Sequence, residues 1–223
     1  LYYWSVKKII ILFLFIASCA APSLDKRVDY IYQLNNNEFI EFVYQNSYSI
    51  YSLQKINNND EVVVYIEGDG LSWIDRFTPS SDPTPKNPLA FKLAKLDQNQ
   101  NIIYLSRPCQ YVQNNRCQKE IWTKLQYSNE IMSNYINILK EVKNKHPEVH
   151  LVGYSGGSVI AMYLASIKEL NIKSVRTVAG NIKPNEFTKL LNISPYITSL
   201  NLNAIENNIQ SVSQSHFYGA KDK

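Results

Sequence analysis

Histidine, methionine and cysteine are scarce in this sequence: 3 His, 2 Met and 3 Cys in 223 residues. Three scattered cysteines exclude a disulfide-dense small scaffold, and no His/Cys spacing of a zinc finger occurs. An excess of one charge sign is also lacking. There are 23 Lys+Arg against 19 Asp+Glu, for a formal net charge of +4, and the basic residues are scattered, so no nucleic-acid partner is expected. No internal repeat is visible. No apolar run reaches the roughly 20 residues that a bilayer-spanning helix requires. What remains, 45% hydrophobic and 19% charged, suits one globular α/β domain.

The N-terminus has its own logic. Its first eighteen residues carry no acidic side chain, and Lys7 and Lys8 precede the apolar run Ile9 to Ile16. This is a secretory signal-peptide pattern. The residues Ile16-Ala17-Ser18-Cys19 resemble the bacterial lipobox, which implies a lipid on Cys19, removal of residues 1–18 and anchoring to a membrane. The alternative is a soluble secreted protein cut after small residues. Ala20 in place of Asp resembles the outer-membrane sorting pattern, so the expected location is the cell envelope, at the outer membrane facing the periplasm. Residues 20–37 then read as a linker and 38–223 as the folded domain. With Cys19 lipidated, Cys109 and Cys117 form an even pair in an oxidising compartment, which predicts a disulfide; free thiols are the bland alternative and a catalytic Cys the sharp one, disfavoured because neither has a His nearby in sequence.

Along the domain, Asn35-Asn36-Asn37 and Asn57-Asn58-Asn59 bracket two β-like runs, Glu38 to Tyr44 and Tyr48 to Ile56, which predicts an antiparallel hairpin. Strands and helices then alternate. Strands are expected at Glu61 to Ile66, Asn101 to Leu105, Val149 to Val152, Ser174 to Val178 and Ser215 to Tyr218. A helix is expected over Leu89 to Leu96, with Asn87 as N-cap and Pro88 in the first turn. A longer one carries Ile131, Tyr135, Ile138, Leu139 and Val142 on one face and stops near His146-Pro147. Further helices are expected from Gly157 to about Lys168 and around Asn185 to Leu191. Single helices between strands imply right-handed crossovers and a mainly parallel sheet covered on both faces. The proline-rich stretch Pro79 to Pro88 is either a substrate rim or lid, or a plain surface loop.

The chemistry concentrates at Gly153-Tyr154-Ser155-Gly156-Gly157, a G-x-S-x-G run leading from an apolar strand into an apolar helix. A nucleophile on so sharp a turn occupies strained backbone space, and glycines on both sides avoid clashes with the neighbouring strand and helix. Gly157, Ala161 and Ala165 form a small-residue stripe that lets the helix lie close on the sheet. The helix N-terminus directs amide dipoles at the serine, which favours an oxyanion held by the Gly156 N–H. The bland reading is a tight glycine turn with an idle serine. Ser158 reads as an ordinary helix residue. Dinucleotide binding is disfavoured because the G-x-G-x-x-G spacing is missing. No metal-ligand cluster is visible in the sequence, and no cofactor is expected.

From Val62 to Lys223 the chain resembles bacterial α/β-hydrolases, many of them lipoproteins. The resemblance runs through Ile66-Glu67-Gly68-Asp69-Gly70, Asp82-Pro83-Thr84-Pro85, Arg107-Pro108-Cys109-Gln110-Tyr111, Gly153 to Gly157, Ala179-Gly180-Asn181 and His216 to Asp222. It implies an α/β-hydrolase fold and an esterase-like serine hydrolase acting on a small ester-like substrate. By the match to the esterase His-Gly turn, with Glu67 in place of His, the Asp69 N–H is the second oxyanion donor; the alternative is a plain Gly-Asp-Gly turn. The resemblance places the triad acid at Asp222, against the alternative of a solvated terminal charge. Asn181, where some lipases carry their acid, is not ionisable.

The triad order Ser, acid, His leaves a gap, because His146, His150 and His216 all precede Asp222. His150 is five residues before Ser155 on one strand, about 16 Å away at about 3.3 Å per residue. His216 lies up to about 20 Å back from Asp222 on the same estimate. His146 reads as a helix-end residue. The expectation is therefore a chain truncated before its base, with a final helix and strand missing and weak activity or none. The alternative is a non-enzymatic lipoprotein that keeps the fold as a scaffold or binding module.

Overall fold

The computed structural model describes residues 21–180, 183–190, 195–197, 200 and 202–220. Among these residues fifteen segments of helix and strand follow one another. In chain order they are α1 (Leu24–Asn35), β1 (Ile40–Tyr44), β2 (Ile50–Lys55), β3 (Val62–Ile66), α2 (Leu89–Leu96), β4 (Ile102–Leu105), α3 (Lys119–Trp122), α4 (Asn129–Lys145), β5 (Val149–Tyr154), α5 (Gly157–Ala165), a 3₁₀ turn (Lys168–Leu170), β6 (Ser174–Val178), α6 (Pro184–Leu190), α7 (Leu202–Ile209) and β7 (Ser213–Phe217). The strands form one sheet in the order β1-β2-β4-β3-β5-β6-β7. β1 and β2 are the expected hairpin, β2 runs antiparallel to β4, and every other pairing is parallel.

Strand periodicity splits the core into two layers. Val62, Val64 and Ile66 of β3 face one side with Ile138 and Leu139 of α4 and Ile160 of α5. Val63 and Tyr65 face the other with Phe91 of α2 and Tyr104 of β4. The central strands β3 and β4 are buried on both faces, which accounts for their nearly continuous β-branched composition. Each fully buried Ile or Val there contributes about 2 kcal/mol. By contrast, all five residues of β7 are exposed.

Three local readings are corrected. The stretch read as a linker carries α1, whose Ile31 is completely buried in the second layer and whose Arg27 forms a buried ion pair with Asp82. Asn87 is not the N-cap of α2. Pro88 holds that place without a side-chain cap, and the buried Glu67 carboxylate accepts from Ala90 N at 3.4 Å instead. A tertiary partner thus replaces the local one. α7, which the pattern did not announce, buries Ile205 and Ile209 against the α5 layer. The helix from Asn129 ends as expected: His146 is its C-cap, directly before Pro147. Cys109 and Cys117 are joined by a disulfide, with Cα atoms 5.8 Å apart. Among the described residues no helix is long and apolar enough to cross a membrane. Residues 1–20, including Cys19 and the leader, lie outside the described residues.

Candidate active site

The strand-to-helix turn has the strained geometry its glycines suggested. β5 ends at Tyr154, α5 begins at Gly157, and Ser155 between them has φ +49°, in the left-handed region that costs an ordinary residue about 1 kcal/mol or more. The surroundings hold it there: Ser155 N donates to Val178 O at 2.9 Å, and Ser155 O accepts from Ser158 N at 2.9 Å. A methyl group at Gly153 would lie 2.5 Å from Ser158 Cα, and one at Gly157 would lie 2.5 Å from Glu67 O. The helix and the end of β3 can approach the turn only because both residues lack a side chain. Ser158 is buried with its hydroxyl donating to Gly153 O at 2.9 Å, as an ordinary helix residue would.

Gly156 is the N-cap of α5, and no side chain caps the helix. Ser158 N and Val159 N close onto the carbonyls of Ser155 and Gly156 at 2.9 and 3.3 Å, and the positive end of the helix dipole at Gly156 and Gly157 faces the serine turn, the setting in which a helix N-terminus receives an anion. Ser155 itself is half-buried and lines a cleft of about 310 Å³ with Glu67, Asp69, Gly70, Leu71, Asn87 and Tyr154. Pro85 and Lys86 complete the wall, so the proline-rich stretch supplies part of the rim. That stretch is tied down from α1: Arg27 donates to the carbonyls of Asp82 and Thr84, and Leu71 N donates to Pro83 O at 3.0 Å.

Two carboxylates sit beside the site, and the structure disposes of each differently. Asp69 lies against Gly156, where a methyl group would come within 2.6 Å of Asp69 Cγ. Its Oδ1 is paired at 2.9 Å with the buried Arg107, whose other nitrogen donates to Gln126 O and Oε1 and whose guanidinium lies over the Tyr127 ring. Burial works against the Arg107 charge, but the Asp69 carboxylate together with the Tyr135 and Tyr127 hydroxyls outweighs it, holding the guanidinium above its ordinary pKa. The negative charge beside Gly156 is therefore neutralised at contact distance. Glu67 is 1% exposed and turns to Gly68 N, Ala90 N and Tyr104 Oη. Burial pushes its carboxyl up to about 7, against the lowering effect of those donors.

The remaining expected residues are not gathered here. His146 Nδ1 lies 2.9 Å from Asp60 O, His150 Nδ1 2.7 Å from Ser174 Oγ and His216 Nδ1 2.8 Å from Thr177 Oγ1. None of the three lines the cleft with Ser155. Asp222 and Asn181 lie outside the described residues. Sequence reasoning missed the Arg107 pairing with Asp69 and the depth of Glu67. Its one available signal was an arginine two residues after a buried strand.

The sequence matches no known family profile and no curated protein. Solved structures are similar in fold. An esterase from Pyrococcus furiosus matches with a TM-score of 0.51 at 10% identity over 81% of this chain and 69% of that one. A bacterial membrane phospholipase A described as a virulence factor matches at 0.49 and 13% identity over 98% and 83%. Est1E from Butyrivibrio proteoclasticus matches at 0.46 and 10% over 67% of this chain, which spans about half, 54%, of that protein. With its parallel strand order, its antiparallel β1–β2 hairpin and its helices on both faces, this chain has the α/β-hydrolase fold.

Proposed function

We propose that this chain is a serine hydrolase of small carboxylic esters or thioesters, with Ser155 as nucleophile. The observation that carries the reading is the left-handed Ser155 at an uncapped helix start, opening into a cleft. Ser155 Oγ attacks the acyl carbon, the carbonyl oxygen gains negative charge, and the amides of Gly156 and Asp69 receive it. Collapse expels the alcohol or thiol and leaves an acyl-serine, which water then hydrolyses. Arg107 keeps the Asp69 carboxylate from opposing that charge. Asp222 is the proposed acid of the triad. The reaction also needs a general base, and His146, His150 and His216 are each engaged away from the cleft. That observation favours the second reading, a scaffold or binding module that keeps the fold without turnover.

A fluorophosphonate probe separates the two. Labelling of the chain that disappears in Ser155→Ala is expected. No labelling rejects the hydrolase and leaves the scaffold. For location, we propose an exported protein anchored through a lipid on Cys19 in the bacterial outer membrane, facing the periplasm; the Cys109–Cys117 disulfide supports an oxidising compartment. Metabolic incorporation of palmitate that Cys19→Ala does not abolish would overturn the anchor.

A further inference from the structure

At the end of the sheet opposite Ser155, donors from two distant stretches of the sequence meet. Parallel pairing of Val62 with Val149 sets Glu61, one residue before β3, beside Glu148, one residue before β5. His150 is two residues beyond Glu148, so strand alternation turns it to the same face. One donor atom from each of Glu61, Glu148 and His150 lies within 4.8 Å of the others. We propose that these three residues bind a divalent transition-metal cation of the zinc class and so tie β3 to β5.

The histidine is what distinguishes this site from a chance pair of surface carboxylates. Its Nδ1 is held at 2.7 Å by Ser174 Oγ on β6. When the serine oxygen accepts, the proton sits on Nδ1 and the lone pair on Nε2, the arrangement in which a second partner orients a ligating imidazole. Nε2 is shielded from solvent and has no hydrogen-bond partner; its nearest anionic neighbour is Glu61 Oε2 at 3.5 Å. A buried ring nitrogen in that state calls for an explanation. A cation between it and the two carboxylates supplies one, and also relieves the repulsion of like charges on adjacent strands.

Metal–ligand distances of about 2.0–2.2 Å require the donors to close by about 1 Å. The two glutamates are half-exposed and have the freedom to do so. Lys173 Nζ, 3.0 Å from Glu148 Oε1, is the competing cation. With both partners about half exposed, solvent screens that pair and it yields to a divalent ion. Lys143 also acts on Glu148, from further away. An imidazole with two carboxylates favours a borderline cation over Mg²⁺ or Ca²⁺, which take oxygen sets. Glu61 and Glu148 also line a polar cleft of about 610 Å³ with Asp60, Asn99, Gln100 and Asn101, through which an ion could enter.

The test uses tag-free, chelator-treated chain titrated with ZnCl₂ by calorimetry, with thermal unfolding in parallel. One equivalent is expected to bind and raise Tm, with no such effect from MgCl₂. His150→Ala and, as an exposed substitution that leaves the core intact, Glu148→Gln should each weaken binding at least about tenfold; Ser174→Ala should weaken it about tenfold through the imidazole. His146→Ala and His216→Ala should bind as the parent does, and Lys173→Ala should bind more tightly. Absence of saturable zinc binding, or equal affinity in the parent and Glu148→Gln, overturns the site.

Discussion

Glu67 makes the folded chain sensitive to pH in a window where most carboxylates are silent. Its carboxyl is buried at the cleft, where a desolvation penalty outweighs the Gly68, Ala90, Tyr104 and Phe91 donors that favour the anion, and its pKa rises from 4.5 to about 7. The unfolded chain therefore loses this proton first as pH increases. Below about pH 4.5 the group is neutral in both states, and its contribution to stability is complete. From there to about pH 7 the unfolded state is progressively favoured, and above that the effect is constant. At about 1.4 kcal/mol per pH unit, the interval between 4.5 and 7 amounts to about 3 kcal/mol of stability lost as pH rises.

Glu67→Gln preserves the shape and an acceptor for Gly68 N and Ala90 N while removing the ionisation. Urea unfolding followed by tryptophan fluorescence at pH 5, 6, 7 and 8 should show the parent losing stability relative to the variant by about 2.5 kcal/mol across the series, part of the loss having already occurred below pH 5. The comparison cancels groups common to both proteins. Asp97 is one of them: burial opposes its ionisation, but Tyr65 Oη and Asn99 hold it below its ordinary value. Its contribution is lost only as pH falls, below the window used. A parent-minus-variant difference constant within about 0.5 kcal/mol from pH 5 to 8 would refute the claim that Glu67 is buried against the N-terminus of α2.

Other consequences follow from single contacts. Gly153→Ala should cost about 2 kcal/mol, because the new methyl meets backbone atoms of Gly157 and Ser158 that cannot rotate away; denaturant midpoints measure it. Arg107→Ala should cost about 3 kcal/mol by leaving Asp69 and Gln126 without their buried partner, and Asp69→Asn in the same chain should recover part of that loss in a double-mutant cycle. Arg27→Ala should release the rim at Asp82 to Thr84, seen as faster amide exchange of Leu71, whose N–H bonds Pro83. Reduction of Cys109–Cys117, which closes a loop of sequence separation 8, should lower stability by about 2.5 kcal/mol in melts with and without reductant.

The elements with local causes were legible in the sequence. The hairpin followed from asparagine turns around alternating runs, and α4 from its apolar face and the proline that stops it. The turn at Ser155 followed from glycines placed where a side chain would strike the helix or β3. These depend on residues within a few positions of each other, so period and turn chemistry expose them. The same holds for the parallel sheet, which single intervening helices impose on consecutive strands.

Tertiary structure alone decided which distant groups meet. Arg27 finds Asp82 55 residues away, Arg107 finds Asp69 38 away, and Glu67 caps a helix that begins 22 residues later, so a stretch polar enough to read as a linker became a packed helix. Glu61 and Glu148 became neighbours only through the register of β3 on β5. Propensity and periodicity carry no information about such pairs. They are fixed by strand order and register, and these follow from burying both faces of the sheet at once.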